Sequence, residues 1–187
     1  SDFFGSGNPD GATAGTQARN SLLAAASFLS STIDDNLDAI PFADPTPLGR
    51  NTRQFDGDFT HPSPAVRLTV HSARDISVAA DNYVIYAGAL SLSGGTLGVG
   101  GPGGFSSFGS TSFNDNIEFR GKPTDGSEFS RWGGRISFDS DGSTNWHYNH
   151  IASPLPGTSD FYSVALHELG HALGLNLSSS PWDALWT

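Results

Sequence analysis

An α+β domain is the fold class this sequence predicts. Three observations carry it: an amphipathic helical stretch near the start, a middle of short strand-like runs broken by turn residues, and an apolar helical stretch near the end. Residues 1–15 are rich in Gly, Asn and Asp, with Asn8-Pro9-Asp10-Gly11 as a turn signal, and are expected to form a flexible N-terminal arm. Residues 16–187 are expected to form one domain. Over residues 16–33, Leu22, Leu23, Ala26, Leu29 and Ile33 recur at three- and four-residue steps, the spacing of one helix face. Pro41 and Pro45 then break the pattern.

Val66-Arg67-Leu68-Thr69-Val70 alternates apolar and polar positions and Tyr83-Val84-Ile85-Tyr86 is a β-branched and aromatic run, so both read as strands. Residues 94–104 carry seven glycines and one proline and are expected to form a loop with close backbone packing. Residues 116–119 and 135–138 are further strand candidates, separated by the turn Lys122-Pro123-Thr124-Asp125-Gly126. Beyond Pro154 and Pro156, Thr158 or Ser159 can cap a helix over residues 161–175, and Asp160 complements the positive end of its dipole. Apolar residues run nearly all round that helix, which predicts burial.

Composition narrows the function. The chain has 187 residues, enough to bury a substantial core without crosslinks, and its cysteine count is zero, which excludes thiol and cysteine-zinc chemistry. Nineteen acidic residues stand against nine basic ones, of which Lys122 is the single lysine, and no basic cluster exists to neutralise a phosphate backbone. Nucleic acid is therefore not an expected partner. The longest apolar stretch, residues 22–29, is too short to span a bilayer. A start at Ser1 and a bias to Asp, Gly and Ser with almost no lysine lead to the expectation of a processed, secreted protein.

The last helix contains His167-Glu168-Leu169-Gly170-His171. Residues four apart on a helix lie on one face, so the two imidazoles should project about 6 Å apart, close enough to share a metal ion. Zinc suits imidazole and can lower the pKa of a bound water to about 7. Glu168 points to the flank, where it can take a proton from that water during attack on a peptide carbonyl and return it to the leaving amine. With six histidines and three glutamates, an H-E-x-x-H match is expected by chance in only about three chains per thousand of this composition. The bland alternative is a pair of core histidines satisfied by backbone carbonyls, but two imidazoles and a carboxyl in an apolar helix need a common cause.

The string His167-Glu168-Leu169-Gly170-His171-Ala172-Leu173-Gly174-Leu175 resembles the helix of metzincins, and among them the matrixin-like zinc peptidases of the secreted bacterial type. Gly174 stands where those enzymes end the helix in a tight turn. Gly133-Gly134-Arg135-Ile136-Ser137-Phe138-Asp139, with Trp146 beyond it, resembles the strand before that helix, and Gly101-Pro102-Gly103-Gly104 a glycine-rich loop earlier in the same fold. The likeness covers about residues 66–175. It implies a zincin-like upper subdomain with a twisted, mostly parallel or mixed sheet, a backing helix and a buried active-site helix. It also implies an endopeptidase acting on protein or peptide substrates, with zinc on His167 and His171 and Glu168 as the catalytic base.

Two positions depart from the family pattern. The third ligand is expected three residues beyond the glycine, but Leu177 stands there, and the chain has no methionine for the turn beneath the zinc. A layout with a long insertion would place both features after Thr187, the lower subdomain then being missing, and for the ligand alone a different residue within the sequence is the alternative. Among His147, His150, Asp160 and Asp183, Asp183 is the candidate third ligand, since a carboxylate is chemically acceptable and follows the helix at a suitable distance. Strand alternation places His147 and His150 on opposite faces, and His61 and His71 have no motif around them. Asp139 and Asp141, in Asp139-Ser140-Asp141-Gly142-Ser143, offer oxygen ligands for calcium, against an ordinary Asp-Gly turn. Asp56-Gly57-Asp58 is a lesser oxygen site. Trp132, Trp146, Trp182 and Trp186 read as core or interface anchors before cleft residues.

The competing function is a non-catalytic, self-assembling protein on a truncated peptidase-like fold, which would associate through exposed apolar surface at Leu175, Leu177, Trp182 and Trp186. A metal used only for stability is the third possibility, and it wants four protein ligands where two are visible.

Overall fold

The computed structural model describes residues 2–41, 53–62, 70–125 and 131–175. Along these residues the order is α1 (Ala12–Thr32), β1 (Gln54–Thr60), β2 (Val70–Ala73), β3 (Val84–Leu90), β4 (Gly98–Pro102), β5 (Gly104–Phe108), α2 (Thr111–Phe119), β6 (Gly133–Asp139), β7 (Trp146–His147), β8 (Ser159–Asp160) and α3 (Phe161–Ala172). One sheet has the order β3-β6-β4, with β3 parallel and β4 antiparallel to the central β6. A second, β2-β1-β5, is antiparallel throughout. Two-residue strands β7 and β8 pair in parallel. The architecture is thus mixed α and β with small mixed sheets, and antiparallel pairings outnumber the parallel ones that were expected to dominate.

Alternation along β3 and β6 divides the core in two. Ile85, Ala87 and Ala89 point with Ile136 and Phe138 into a cluster completed by α1 and α3, whereas Val84 and Tyr86 point into a cluster of Phe55, Phe59, Phe113, Ile117 and Trp132. Helix α1 meets the first cluster through small residues: Gly15, Ala18, Ser21 and Ala25 are buried, Leu22 and Leu29 are partly buried, and Leu23 and Ala26 are exposed. The expected leucine stripe is therefore only half used, because short side chains allow α1 to pack closely on α3.

The stretch expected as an arm packs rather than projecting. Helix α1 begins at Ala12, within it, and Phe3 is 2% exposed, with its ring against Phe138, Tyr148 and Phe161. Asn8 donates to the Phe3 carbonyl and holds the turn. Strand β2 takes only the last residue of the run expected over 66–70, the rest of which lies outside the described residues. The strand expected over 116–119 is instead the end of α2. Ser110 caps that helix by accepting from the Phe113 amide, and Phe113 and Ile117, four apart, bury one face. A four-residue window could not show this period. The glycine-rich segment 94–104 is not only a loop either, since it contains β4 and the start of β5. No helix among the described residues is long and apolar enough to cross a membrane.

Arg120 ends α2 in the left-handed conformation, with φ 47°, and is fully buried. Its guanidinium donates to main-chain carbonyls of Asp38, Asn82, Arg131 and Ala79, so one side chain joins the segment after α1, the approach to β3 and the approach to β6. Desolvation pushes its pKa below the usual arginine value, with Asp81 and Asp38 opposing that shift. Arg120→Met should strand those carbonyls and cost about 2–4 kcal/mol, lowering the thermal midpoint by roughly 5–15 °C. Arg120→Lys should recover little of this, because an ammonium cannot span the same fork of acceptors. Thermal unfolding followed by circular dichroism checks both variants.

Candidate active site

Helix α3 is positioned at both ends. Asp160 is its N-cap, accepting from the Ser163 amide at 3.0 Å and from Ser163 Oγ at 2.5 Å, so the residue expected to serve the dipole is the cap itself. At the other end Gly174 has φ 83°, the Gly174 amide donates to the His171 carbonyl at 3.0 Å, and the Leu175 amide donates to the Gly170 carbonyl at 2.9 Å. This is a Schellman turn, which needs a left-handed residue at position 174. Tyr83 Oη lies 2.6 Å from the Ala172 carbonyl and 2.8 Å from that of Gly133, joining the helix end to the sheet.

The helix does not bury all its faces. Phe161, Ala165, Leu169 and Ala172 are buried, while His167 is exposed and His171 half-buried. The two imidazoles meet edge to face with centroids 4.5 Å apart, and their Nε2 atoms are 3.0 Å apart. Two nitrogens held tetrahedrally at 2.0–2.1 Å from one zinc stand about 3.3 Å apart, so the pair is within a small adjustment of metal geometry. His171 Nδ1 donates to the Leu175 carbonyl at 3.1 Å. That bond places the ring proton on Nδ1 and leaves Nε2 of the neutral ring with its lone pair toward His167, as a ligand requires. The Schellman turn thus also sets the tautomer.

Glu168 is 5% exposed, and its Oε2 is buried without a hydrogen-bond partner. Burial pushes its pKa above the ordinary carboxyl value, partly offset by the neighbouring His167 and His171. An orphaned buried carboxyl oxygen beside two converging imidazoles fits a cation, and the donor set fits zinc. Among the described residues no group of three or more His, Cys, Asp and Glu side chains could hold a metal. Leu177, Trp182, Asp183 and Trp186 lie outside the described residues.

The other candidates serve the scaffold. His147 Nε2 lies 2.9 Å and 3.0 Å from the carbonyls of Asn149 and Ala152, and His150 Nδ1 lies 3.1 Å from Ser21 Oγ, its ring stacked on Tyr162. His61 lies beside Phe59. Asp139 is buried and accepts from the Leu92 amide, Thr144 Oγ1 and the Asp141 amide, while Asp141 accepts from the Ser143 amide. These bonds hold a turn with Gly142 at φ 82°, and no observation favours calcium over that role. Asp56 likewise accepts from Gln54 Nε2 and the Asp75 amide, and Asp58 from Ser72 Oγ. Trp132 is 1% exposed and donates to the Gly104 carbonyl, and Trp146 packs on Tyr148 and Phe161, so both are core residues.

A helix presenting paired imidazoles and a flanking carboxyl, laid along a small mixed sheet and closed by a glycine turn, is a metzincin-like arrangement. Residues 106–186 match the peptidase family model described as matrixin, and the chain is matrixin-like over that segment. Neither comparison with curated proteins nor comparison with solved structures gave a match. Strand β4, within the glycine-rich stretch, lies before the matched segment, yet it packs directly on α3 at Gly98 and Gly100. Their contribution was missed in the sequence, although glycines at 98 and 100 repeat at the two-residue period of one strand face.

Two outcomes follow for the metal-free chain. Glu168→Gln should raise the thermal midpoint at neutral pH, since burial disfavours the ionised carboxylate. A carboxyl whose folded pKa is raised costs nothing below its unfolded value of about 4.3 and destabilises increasingly as pH rises through the folded value. The gain from Gln should therefore vanish in acid, as pH-dependent melting of both proteins would show. Gly174→Ala should cost about 1–2 kcal/mol by forcing a Cβ into the left-handed region. Denaturant unfolding measures the loss.

Proposed function

We propose that the protein is a secreted, zinc-dependent endopeptidase of matrixin type, acting on protein or peptide substrates. The observation that carries this reading is the convergence of His167 and His171 at 3.0 Å beside the buried, unpartnered Oε2 of Glu168. The matrixin match over residues 106–186 supports it.

His167 and His171 would hold the metal through Nε2, with a further ligand from the chain beyond residue 175, for which Asp183 is the candidate. When bound, zinc would supply Lewis acidity, acidifying a water and polarising a carbonyl. Glu168 then acts as a proton carrier. Its carboxylate takes a proton from the attacking water, and the same oxygen passes it to the amine of the cleaved bond. Its raised pKa brings that exchange nearer neutrality than an ordinary glutamate would. Strand β4 is the edge of its sheet, and an extended substrate would lie along it through main-chain hydrogen bonds.

Purified chain should carry about one zinc and cleave an unfolded protein substrate. Glu168→Ala should keep the zinc and lose at least about 100-fold in kcat. Undiminished cleavage by that variant would remove Glu168 from the reaction, and absence of zinc from the wild-type chain would remove the peptidase reading altogether.

A further inference from the structure

Strand β4 faces α3 with two bare α-carbons. A Cβ at Gly98 would stand 2.7 Å from Glu168 Cγ and 2.9 Å from its Oε1, and one at Gly100 would stand 2.3 Å from the Glu168 carbonyl oxygen and 3.1 Å from Oε2. At Gly101, which points the other way, it would meet nothing within 4 Å. Crowding thus falls on alternate positions, the two-residue period of a strand face. The two contacts differ in kind. Gly100 presses first on helix backbone, which cannot yield without moving α3, whereas the three atoms nearest a Cβ at Gly98 all belong to the Glu168 side chain, which can turn about its own bonds. With Oε2 lacking any polar partner, no hydrogen bond at that oxygen holds the carboxyl where it is. Its place is set by the space the strand leaves open.

We propose that Gly98 is a positioning residue for Glu168: by presenting no side chain, it selects the conformation in which the carboxyl lies over β4 on the flank of the helix, one residue round from His167. A methyl group at 98 displaces the carboxyl from the sheet toward solvent. The geometry stands by itself, and its catalytic consequence rests on the peptidase reading.

A double-mutant cycle on thermal unfolding of the metal-free full chain tests the seat without reference to activity. Gly98→Ala is expected to lower the midpoint in the Glu168 background and to cost less than a third as much in the Glu168→Ala background, where no Cγ or carboxyl stands in the way of the methyl. Equal losses in both backgrounds would overturn the proposal. If Gly98→Ala does not fold alone, adding Glu168→Ala should restore folding, since it removes the Cγ and both oxygens the methyl would meet; failure to restore it also overturns the proposal. The catalytic consequence has its own readout: Gly98→Ala should bind zinc as the wild type does and lose at least tenfold in kcat with KM little changed. A wild-type chain that cleaves nothing would defeat the peptidase reading while leaving the thermal cycle to decide the seat.

Discussion

Helix α3 lies closer to strand β4 than any side chain on the facing positions of that strand would allow. The Glu168 carbonyl comes within 2.3 Å of where a Cβ on Gly100 would stand. This approach is a constraint on everything around it. It brings the carboxyl of Glu168 out of water, places Ala165, Leu169 and Ala172 on Ile136 and Phe138, and leaves the adjoining flank of the helix with His167 exposed and His171 half-buried. Because interiors pack at nearly crystalline density, an ordinary side chain at 100 would lift the whole helix rather than make a local bump, whereas one at 98 would displace the Glu168 side chain. The site is therefore a property of sheet and helix together.

How far the sequence disclosed this depends on the range over which each signal acts. The helix around His167, its glycine turn and the parts of β3 and β6 over 83–86 and 135–138 were legible because their patterns are local: a 3.6-residue period, a glycine past the last turn, a run of β-branched and aromatic residues. Asn116 to Phe119 misled because four residues fit either period, and the capping Ser110 lay outside the window. Residues 94–104 misled differently. Glycine is a poor strand former in isolation, and here tertiary packing reverses that preference, since only glycine permits the contact with α3. Phe3 was lost for a third reason: a single aromatic in a polar stretch has no period at all, and its burial is decided by rings more than 130 residues away.

Much of the polar interior follows one rule, which the carboxyl of Glu168 does not. Buried Arg120 has four carbonyl acceptors, buried Asp139 three donors and buried Asn8 the Phe3 carbonyl. Glu168 Oε2 has none. Arg53 Nε, Asp75 Oδ1, Asn114 Oδ1 and Ser137 Oγ are also buried without partners among the described residues, and what sets Glu168 Oε2 apart from them is the neighbouring pair of imidazoles.

The burial of Phe3 ties the beginning of the chain to its site. The ring fills the space among Phe138, Tyr148 and Phe161, and Phe161 opens the helix that carries the histidines. Removal of the first four residues would leave a void the size of a benzene ring under the first turn of that helix. Trimming of the amino end, by a protease or by the choice of an expression boundary, thus acts on the seating of the paired imidazoles although it occurs more than 150 positions upstream.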